Sequence, residues 1–406
     1  MVGAGHAGAE LAVQAREAGW AGGIALVGDE PALPYHRPPL SKAYLAGKAE
    51  AEDLLLRNAE WYANQRIAIR TGTLVTAVEP ADHRVLLDDG DELSYDHLVL
   101  ATGGEPRRIT GPGIDRARNV HTVRGLDDAA RLRSALTTGV RLVVIGAGYI
   151  GLEIAATARQ SGAIVTVIEA APRVLARVTS PPVSEFFQRV HREAGVTILL
   201  GTTVDGFGTD DAGDITAVHV AGQPSLPADL VLIGIGITPR TRLAEDAGLK
   251  VSDGIVVDEH MRTSAPDIYA VGDVARHPCP QHGGLRRVES VPNASEQARC
   301  VAATITGAPL PYRALPWFWS NQYDVKLQSV GLAAGHDHLV VRGNPFAGSQ
   351  LTLLYLRGQT IIAADVIGSA ADFAAAKRLI AAGTPTERRL LADPAVPLKS
   401  FAQRPR

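Results

Sequence analysis

The amino-acid sequence predicts an α/β protein: two doubly wound parallel-sheet domains followed by a smaller α+β domain. Three observations predict it. A glycine-rich turn between an apolar run and a helical pattern occurs twice, as VGAGHAG at 2–8 and VIGAGYIG at 144–151. Unbroken apolar runs of strand length alternate with helical patterns, as expected of parallel sheets buried on both faces. The character of the chain then changes near residue 313, after which two apolar strands flank a short turn and a helix follows. At 406 residues the chain is long enough for two or three cores.

In chain order, only Met1 and Val2 precede Gly3, so the first strand reads as truncated or unusually short. A helix is expected at 9–18 and a strand at 24–28. PALPYHRPPL at 31–40 is an extended loop, because each proline disfavours helix in the residue before it. A helix is expected to start near Leu40. Strands follow at 67–70, 74–79 and 84–88, then the turn DDGDE and the strand HLVLATGG at 97–104. A second unit opens near 120 with an amphipathic helix at 126–136 and the apolar strand RLVVIG at 141–146. A helix at 152–162, stopped by Gly162, leads to the strand IVTVIEA at 164–170. Further strands are expected near 197–200, 215–220 and 229–234. Residues 235–275 return to the first unit and end in the strand DIYAVGD. LTLLYLRGQTIIAADVI at 351–367 reads as a hairpin of two alternating strands, and 370–383 as a helix closed by Gly383. The expected domains are 1–107 with 238–312, then 108–237, then 313–406.

Bulk properties exclude several classes. Hydrophobic residues are 46% and charged residues 20%, an ordinary globular balance, and the net charge of −3 offers no global attraction to nucleic acid or acidic lipid. The most apolar window, 142–158, is interrupted by Glu153 and three glycines and reads as strand, turn and helix, not as a membrane span. No signal peptide is visible. The two cysteines, Cys279 and Cys300, form no C-x-x-C pair and no metal-spaced cluster, so no metal site is expected. They are too few to ligate an iron–sulfur cluster, which needs about four thiolates. Such sparse usage fits a reducing cytoplasm.

The glycines of each turn have separate tasks. Gly3 and Gly146 allow the tight turn, Gly5 and Gly148 let backbone approach a pyrophosphate, and Gly8 and Gly151 let helix pack on strand. The helix N-terminus then offers free N–H groups to the phosphates. Each turn is followed about twenty residues on by an acid at the end of the next strand, Asp29 and Glu169, placed to accept hydrogen bonds from ribose hydroxyls. Two Rossmann-like turns in one chain imply two dinucleotides. Glu169 would repel a 2′-phosphate and favours NADH over NADPH, although Arg173 and Arg177 lie just downstream and have the charge to hold one.

The run TSAPDIYAVGD at 263–273, together with Ala101, Thr102, Gly103 and Gly104, resembles the FAD- and NAD-linked reductases of the glutathione-reductase superfamily. The resemblance implies that Asp273 hydrogen-bonds the ribitol of FAD. It narrows over nearly the whole chain. PPLSK at 38–42, GYIGLE at 148–153, ESVPN at 289–293 and PWFWS at 316–320 resemble the ferredoxin reductases of bacterial oxygenase systems. TSPPVSEF at 179–186 and HREAGV at 191–196 resemble the members that serve P450 electron chains, and the reductases of ring-hydroxylating dioxygenases are close cousins.

That resemblance implies that NADH reduces FAD and that FAD reduces a small [2Fe–2S] ferredoxin. NADH delivers two electrons as one hydride and a ferredoxin takes one at a time, so a flavin between them makes chemical sense. Lys42 is implied to lie beside the flavin and to pair with Glu153, which orients the nicotinamide amide. Trp319 is placed nearest the flavin ring and Tyr149 on the nicotinamide side. Val75 and Arg124 match positions that touch FAD, and Ala7 and Val291 do so through backbone. Ile150 and Gly236 are assigned to the NAD site. The helix after Val291 is implied to point its N-terminus at the flavin, where its dipole favours an anionic reduced ring. Arg57 and Arg299 match family positions implicated in ferredoxin docking; Lys326, Arg286 and Arg287 are further local candidates.

Other readings of the same scaffold are an NADH oxidase, peroxidase or disulfide reductase, a rubredoxin or quinone reductase, and a flavoprotein binding module with slow turnover. Thiol-dependent members need a redox cysteine, often where this chain has Ser41 and Lys42.

Overall fold

A computed structural model describes residues 1–111, 113–383 and 385–401; the last five residues of the C-terminal assignment lie outside the described residues. The chain forms two compact units: Met1–Arg37, Ala51–Glu105 and Thr238–Phe318 in one, Pro38–Glu50, Pro106–Ile237 and Trp319–Arg406 in the other.

In the first unit a parallel sheet is built outward from a very short central strand. Val2 bridges Val27 on one side and Leu100 on the other. Ile24–Val27 pairs in turn with Ile67–Arg70, and Leu98–Leu100 with Ile268–Ala270. Backbone bonds from Val2 N to Val99 O at 2.8 Å and from Gly3 N to Val27 O at 2.7 Å hold this central position. Two residues suffice there because both neighbours are apolar and buried. The helix His6–Glu17 follows at once and packs on the helix Val291–Ile305.

The second unit repeats the plan at full length. Its parallel sheet runs Thr197–Leu200, Ile164–Glu169, Arg141–Ile145, Leu230–Ile233, Val120–His121. The strand Arg141–Ile145 is central and buried from its second residue onward, and the helix Tyr149–Gln160 follows it. In both units the glycine turn therefore leaves the middle strand of five lanes, where ligands bind at the carboxyl ends of the strands.

The C-terminal region adds a five-stranded antiparallel sheet to the second unit, in the order Trp317–Gln322, Val325–Gly331, Thr360–Ile367, Ala347–Arg357, His338–Asn344. The hairpin expected at 351–367 is present, but its strands do not alternate: every residue from Leu351 to Leu356 is buried. The cause is cover on both faces. The helix Ala370–Ala382 packs on Thr360–Ile367, and Leu351, Leu353, Tyr355 and Ile367 join the core of Phe186, Phe187 and Leu152. Each fully buried phenylalanine or leucine contributes roughly 1.5–3 kcal/mol from burial. Gly383 ends the helix in the left-handed region at φ 59°, as expected of a glycine stop.

Several boundaries differ from the sequence expectation. Both fingerprint helices begin three residues earlier than expected, at His6 and Tyr149, directly after the middle glycine. The helix expected from Leu40 is only a 3₁₀ turn, Pro38–Ser41, followed by turns to Gly47. The strand expected over 97–104 pairs at Leu98–Leu100, breaks for the loop of Ala101, Thr102 and Gly103, and resumes at Gly104 as a separate short strand, Gly104–Pro106. A helix not expected from the sequence, Pro181–Glu193, carries buried Val183, Phe186, Phe187 and His191.

Candidate functional site

The two glycine turns are built alike, and the structure separates what each glycine does. A Cβ on Gly3 would lie 2.3 Å from Ala101 O, and one on Gly146 would lie 2.5 Å from Gly234 O; both residues also have φ above 100°. These glycines are demanded by the fold. Gly5 and Gly148 differ. The nearest atoms to a Cβ there are Arg37 Nη2 at 3.8 Å and Gly234 O at 4.0 Å. Nothing among the described residues requires those middle glycines, and the space they leave open has the room and the helix N-terminus that a ligand's phosphates need. Gly5 and Gly148 are also the N-caps of their helices and carry no side-chain cap, which leaves first-turn N–H groups for an anion.

In the first unit the remaining residues gather about that cradle. Asp29 lies two residues beyond the strand Ile24–Val27, and its carboxylate accepts from Arg240 Nη1 at 2.9 Å. Arg240 also receives Thr102 Oγ1 on its carbonyl at 2.7 Å, fixing the loop of Ala101, Thr102 and Gly103. Gly272, just before Asp273, comes so close to the fingerprint that a Cβ there would meet Ala7 Cβ at 3.0 Å. Asp273 is within electrostatic reach of His6 and Arg37. Gln297 is fully buried, accepts from Gly272 N at 2.7 Å, and has an Nε2 with no partner among the described residues. That orphaned donor beside the Asp273 motif fits a bound polar cofactor. Val75 is buried in the strand Val75–Glu79, and Val291 starts a helix capped by Ser290, whose hydroxyl accepts from Asn293 N at 3.2 Å. Arg37 and Gln297 had not been singled out from sequence.

In the second unit Glu169 ends its strand with both carboxylate oxygens engaged, accepting from Ala147 N at 2.7 Å and Ala171 N at 2.8 Å. It braces the glycine turn, and each oxygen keeps a further lone pair. Arg173 is committed to Ser184 Oγ and Ala176 O, whereas Arg177 Nη2 is the nearest neighbour of a Cβ on Gly236, at 3.2 Å. Ile150 is 46% exposed on the fingerprint helix. Arg124 precedes the helix Leu126–Ala135, and its N–H donates to Asp128 Oδ2 at 3.0 Å. Tyr149 is buried: its hydroxyl bonds Ser329, and burial pushes its pKa above the ordinary value. Ser329 in turn donates to Asp365 Oδ1 at 2.5 Å. Trp319 lies half-buried on the strand Trp317–Gln322.

The second unit also brings Lys42 to Glu153. The glutamate is only 2% exposed, and each of its carboxylate oxygens has a partner. Oε2 accepts from Ser41 Oγ at 2.6 Å and from Lys42 Nζ; Oε1 accepts from Ser320 Oγ at 2.7 Å. Lys42 Nζ also donates to Pro38 O at 3.1 Å. A buried ion pair is tolerable when its remaining hydrogen bonds are made in this way. The loop is anchored by Thr157 Oγ1 donating to Ser41 O at 2.8 Å. Ser41 and Ser320 carried no sequence signal as partners of Glu153.

Both cysteines are buried in the first unit, and burial raises the Cys300 thiol to about 11. Arg57 stacks over Trp61, Arg299 is 68% exposed, and Lys326 is exposed; Arg287 is tied to Glu289 and Asp253. No helix among the described residues is long and apolar enough to cross a membrane, and no group of three or more His, Cys, Asp or Glu side chains among them could hold a metal.

Two phosphate cradles of this kind, each with its acid, define a class: oxidoreductases that hold FAD and a nicotinamide dinucleotide in one chain. Residues 1–298 match the pyridine nucleotide-disulphide oxidoreductase model and 317–402 the reductase C-terminal model. The chain is 48% identical to putidaredoxin reductase of Pseudomonas putida over 404 residues, covering 99% of this chain and 96% of the other. It is 45% identical to a ferredoxin–NAD(P)(+) reductase of a Sphingomonas species, with the same coverage. The solved covalent putidaredoxin reductase–putidaredoxin complex superimposes with a TM-score of 0.96 at 48% identity, over 98% of this chain and 96% of that one. The chain belongs to the pyridine nucleotide-disulphide oxidoreductase family, among its ferredoxin reductases. It is an FAD-dependent oxidoreductase that uses NAD(H).

Proposed function

We propose that the protein oxidises NADH and passes the electrons singly to a [2Fe–2S] ferredoxin that serves a P450 or ring-hydroxylating oxygenase, in the cytoplasm. The observation that carries this reading is the Lys42–Glu153 pair in a loop with serine, not cysteine, at position 41. The identity of the relatives as ferredoxin reductases supports the same conclusion.

In this reading residues 1–107 and 238–312 form the FAD domain, 108–237 the NAD domain and 313–406 the C-terminal domain. Gly3, Gly5, Ala7, Gly8, Asp29, Val75, Ala101, Thr102, Gly103, Arg124, Asp273, Val291 and Trp319 hold FAD. Gly146, Gly148, Tyr149, Ile150, Gly151, Glu169 and Gly236 hold NADH. FAD held there would supply the exchange between a two-electron hydride and single electrons. Lys42 places positive charge beside the ring, and Glu153 accepts from the nicotinamide amide. The N-terminus of the helix Val291–Ile305 offers partial positive charge to the flavin. Glu169 repels a 2′-phosphate, which favours NADH over NADPH. Arg57, Arg299 and Lys326 contribute to docking an acidic ferredoxin, so steering weakens as salt rises.

The discriminating experiment is anaerobic reduction of the purified flavoprotein by NADH, followed by reoxidation with a [2Fe–2S] ferredoxin or with rubredoxin. Fast reoxidation by the ferredoxin is expected. Faster reoxidation by rubredoxin, by a quinone or by air would favour the corresponding alternative.

A further inference from the structure

Glu153 is held from a second direction by a buried line of polar groups with one polarity. His191 is fully buried, and burial holds its pKa down at about 4, so the ring is neutral near neutral pH. Its Nε2 lies 2.8 Å from Gln322 Oε1, which only accepts, so Nε2 carries the proton. Tyr323 OH stands 3.5 Å from the unprotonated Nδ1. Gln322 Nε2 donates to Ser320 Oγ at 3.2 Å, and Ser320 gives its single proton to Glu153 Oε1 at 2.7 Å. Ser320 and Gln322 are both 0% exposed. Every donor in the line points toward the carboxylate. Reversing any member leaves a buried group unsatisfied, so the line is locked.

The two carboxylate oxygens are therefore unequal. Oε2 already accepts from Ser41 and Lys42 and has both lone pairs engaged. Among the described residues Oε1 accepts from Ser320 alone and keeps one lone pair. Tyr149, one helical turn earlier on the same face, is fixed independently through Ser329 and Asp365. We infer that Ser320, Gln322 and His191 are positioning residues that orient the Glu153 carboxylate so that Oε1 presents its one remaining lone pair to the amide N–H of the nicotinamide. This rests on the reading of the protein as an NADH-dependent flavin reductase. The C-terminal sheet thereby sets the pose of the hydride donor.

The test compares Ser320→Ala, Ser320→Thr and Gln322→Leu with the wild-type flavoprotein. Stopped flow gives the limiting rate of flavin reduction by NADH, and a separate titration gives the affinity for ADP-ribose, which lacks nicotinamide. Loss of the Ser320 donor is expected to slow reduction about tenfold. ADP-ribose affinity should change by less than about twofold, because its contacts lie elsewhere. Ser320→Thr should recover most of the rate, and Gln322→Leu should slow reduction in the same sense as Ser320→Ala. Ring-nitrogen NMR of His191 in the NADH-free flavoprotein supplies an independent readout: the Nε2 proton signal should move in Glu153→Gln. Wild-type rates in both Ser320→Ala and Gln322→Leu, failure of threonine to rescue, or a His191 signal unmoved by Glu153→Gln would overturn the inference. Should NADH fail to bleach even the wild type, the functional reading falls, while the NMR comparison still decides whether the line reaches Glu153.

Discussion

The Ser41 hydroxyl donates to the buried Glu153 carboxylate at 2.6 Å, one residue before the lysine that neutralises it. A thiol-using relative would need a reactive sulfur in such a loop. Here the position is spent on orienting a carboxylate, and the chemistry of the site is that of charge and hydrogen bonding.

Lys42→Ala is expected to retain FAD yet slow its reduction by NADH at least about tenfold, because a positioned charge is lost where reduced flavin accumulates negative charge. Stopped-flow absorbance reads the rate directly. A wild-type rate would remove Lys42 from the mechanism.

Glu169→Ala should raise KM for NADH and narrow the preference over NADPH. The carboxylate also accepts from Ala147 N and Ala171 N, so part of the loss comes from loosening the glycine turn and will appear with both nucleotides. The preference ratio isolates the ribose contribution, about tenfold for one charge-assisted hydrogen bond. An unchanged ratio would refute a role at the ribose.

The glycines of the second turn should separate cleanly. Gly146→Ala forces a Cβ to within 2.5 Å of Gly234 O at φ 102°, and is expected to lower the melting temperature through about 1–3 kcal/mol of strain. Gly148→Ala has no atom nearer than 4.0 Å and should fold normally. Its NADH affinity should fall by about tenfold or more, with FAD content unchanged. Equal melting losses in the two variants would contradict the assignment of the open space to phosphates.

Arg299→Glu should raise KM for ferredoxin by about tenfold at low salt while leaving ferricyanide reduction intact, since only the macromolecular acceptor needs a basic face. Arg299 is exposed and only loosely paired with Glu296 at 3.8 Å, so the fold should not change. Equal loss with both acceptors would argue against docking there.

His191 predicts an acid sensitivity. Its pKa is about 4 when folded against an ordinary 6.5. Between those values the unfolded chain binds the proton and the folded chain does not. Stability present above the ordinary value is therefore lost as pH falls toward 4, about 3 kcal/mol in all. Melting temperatures followed from neutral pH downward should fall less steeply in His191→Gln than in the wild type. Parallel curves would show that the ring does not titrate on unfolding.

The sequence made the two cradles legible because each combines a local glycine pattern, an apolar strand and an acid at fixed spacing. It also carried an overlooked signal for the helix Pro181–Glu193: two prolines at its start, then apolar Val183, Phe186, Phe187 and Val190 at helical spacing. The expected alternation in the C-terminal hairpin failed because a strand covered on both faces has no polar side. The support of Glu153 was not legible. Ser320 is 167 residues from Glu153, and Gln322 is 131 from His191. No local pattern marks a serine or glutamine whose partner is supplied by a helix so distant in the chain.

The most direct measurement is anaerobic titration of the flavoprotein with NADH before and after alkylation of its thiols under conditions that expose Cys279 and Cys300, each step followed by addition of oxidised [2Fe–2S] ferredoxin. Stoichiometric bleaching of the flavin and its rapid recovery by ferredoxin, both unaffected by alkylation of refolded, flavin-loaded protein, are expected. A protein that binds no flavin before treatment, or one that keeps its flavin after alkylation but no longer accepts a hydride, would contradict two dinucleotides reacting in one chain without a sulfur relay.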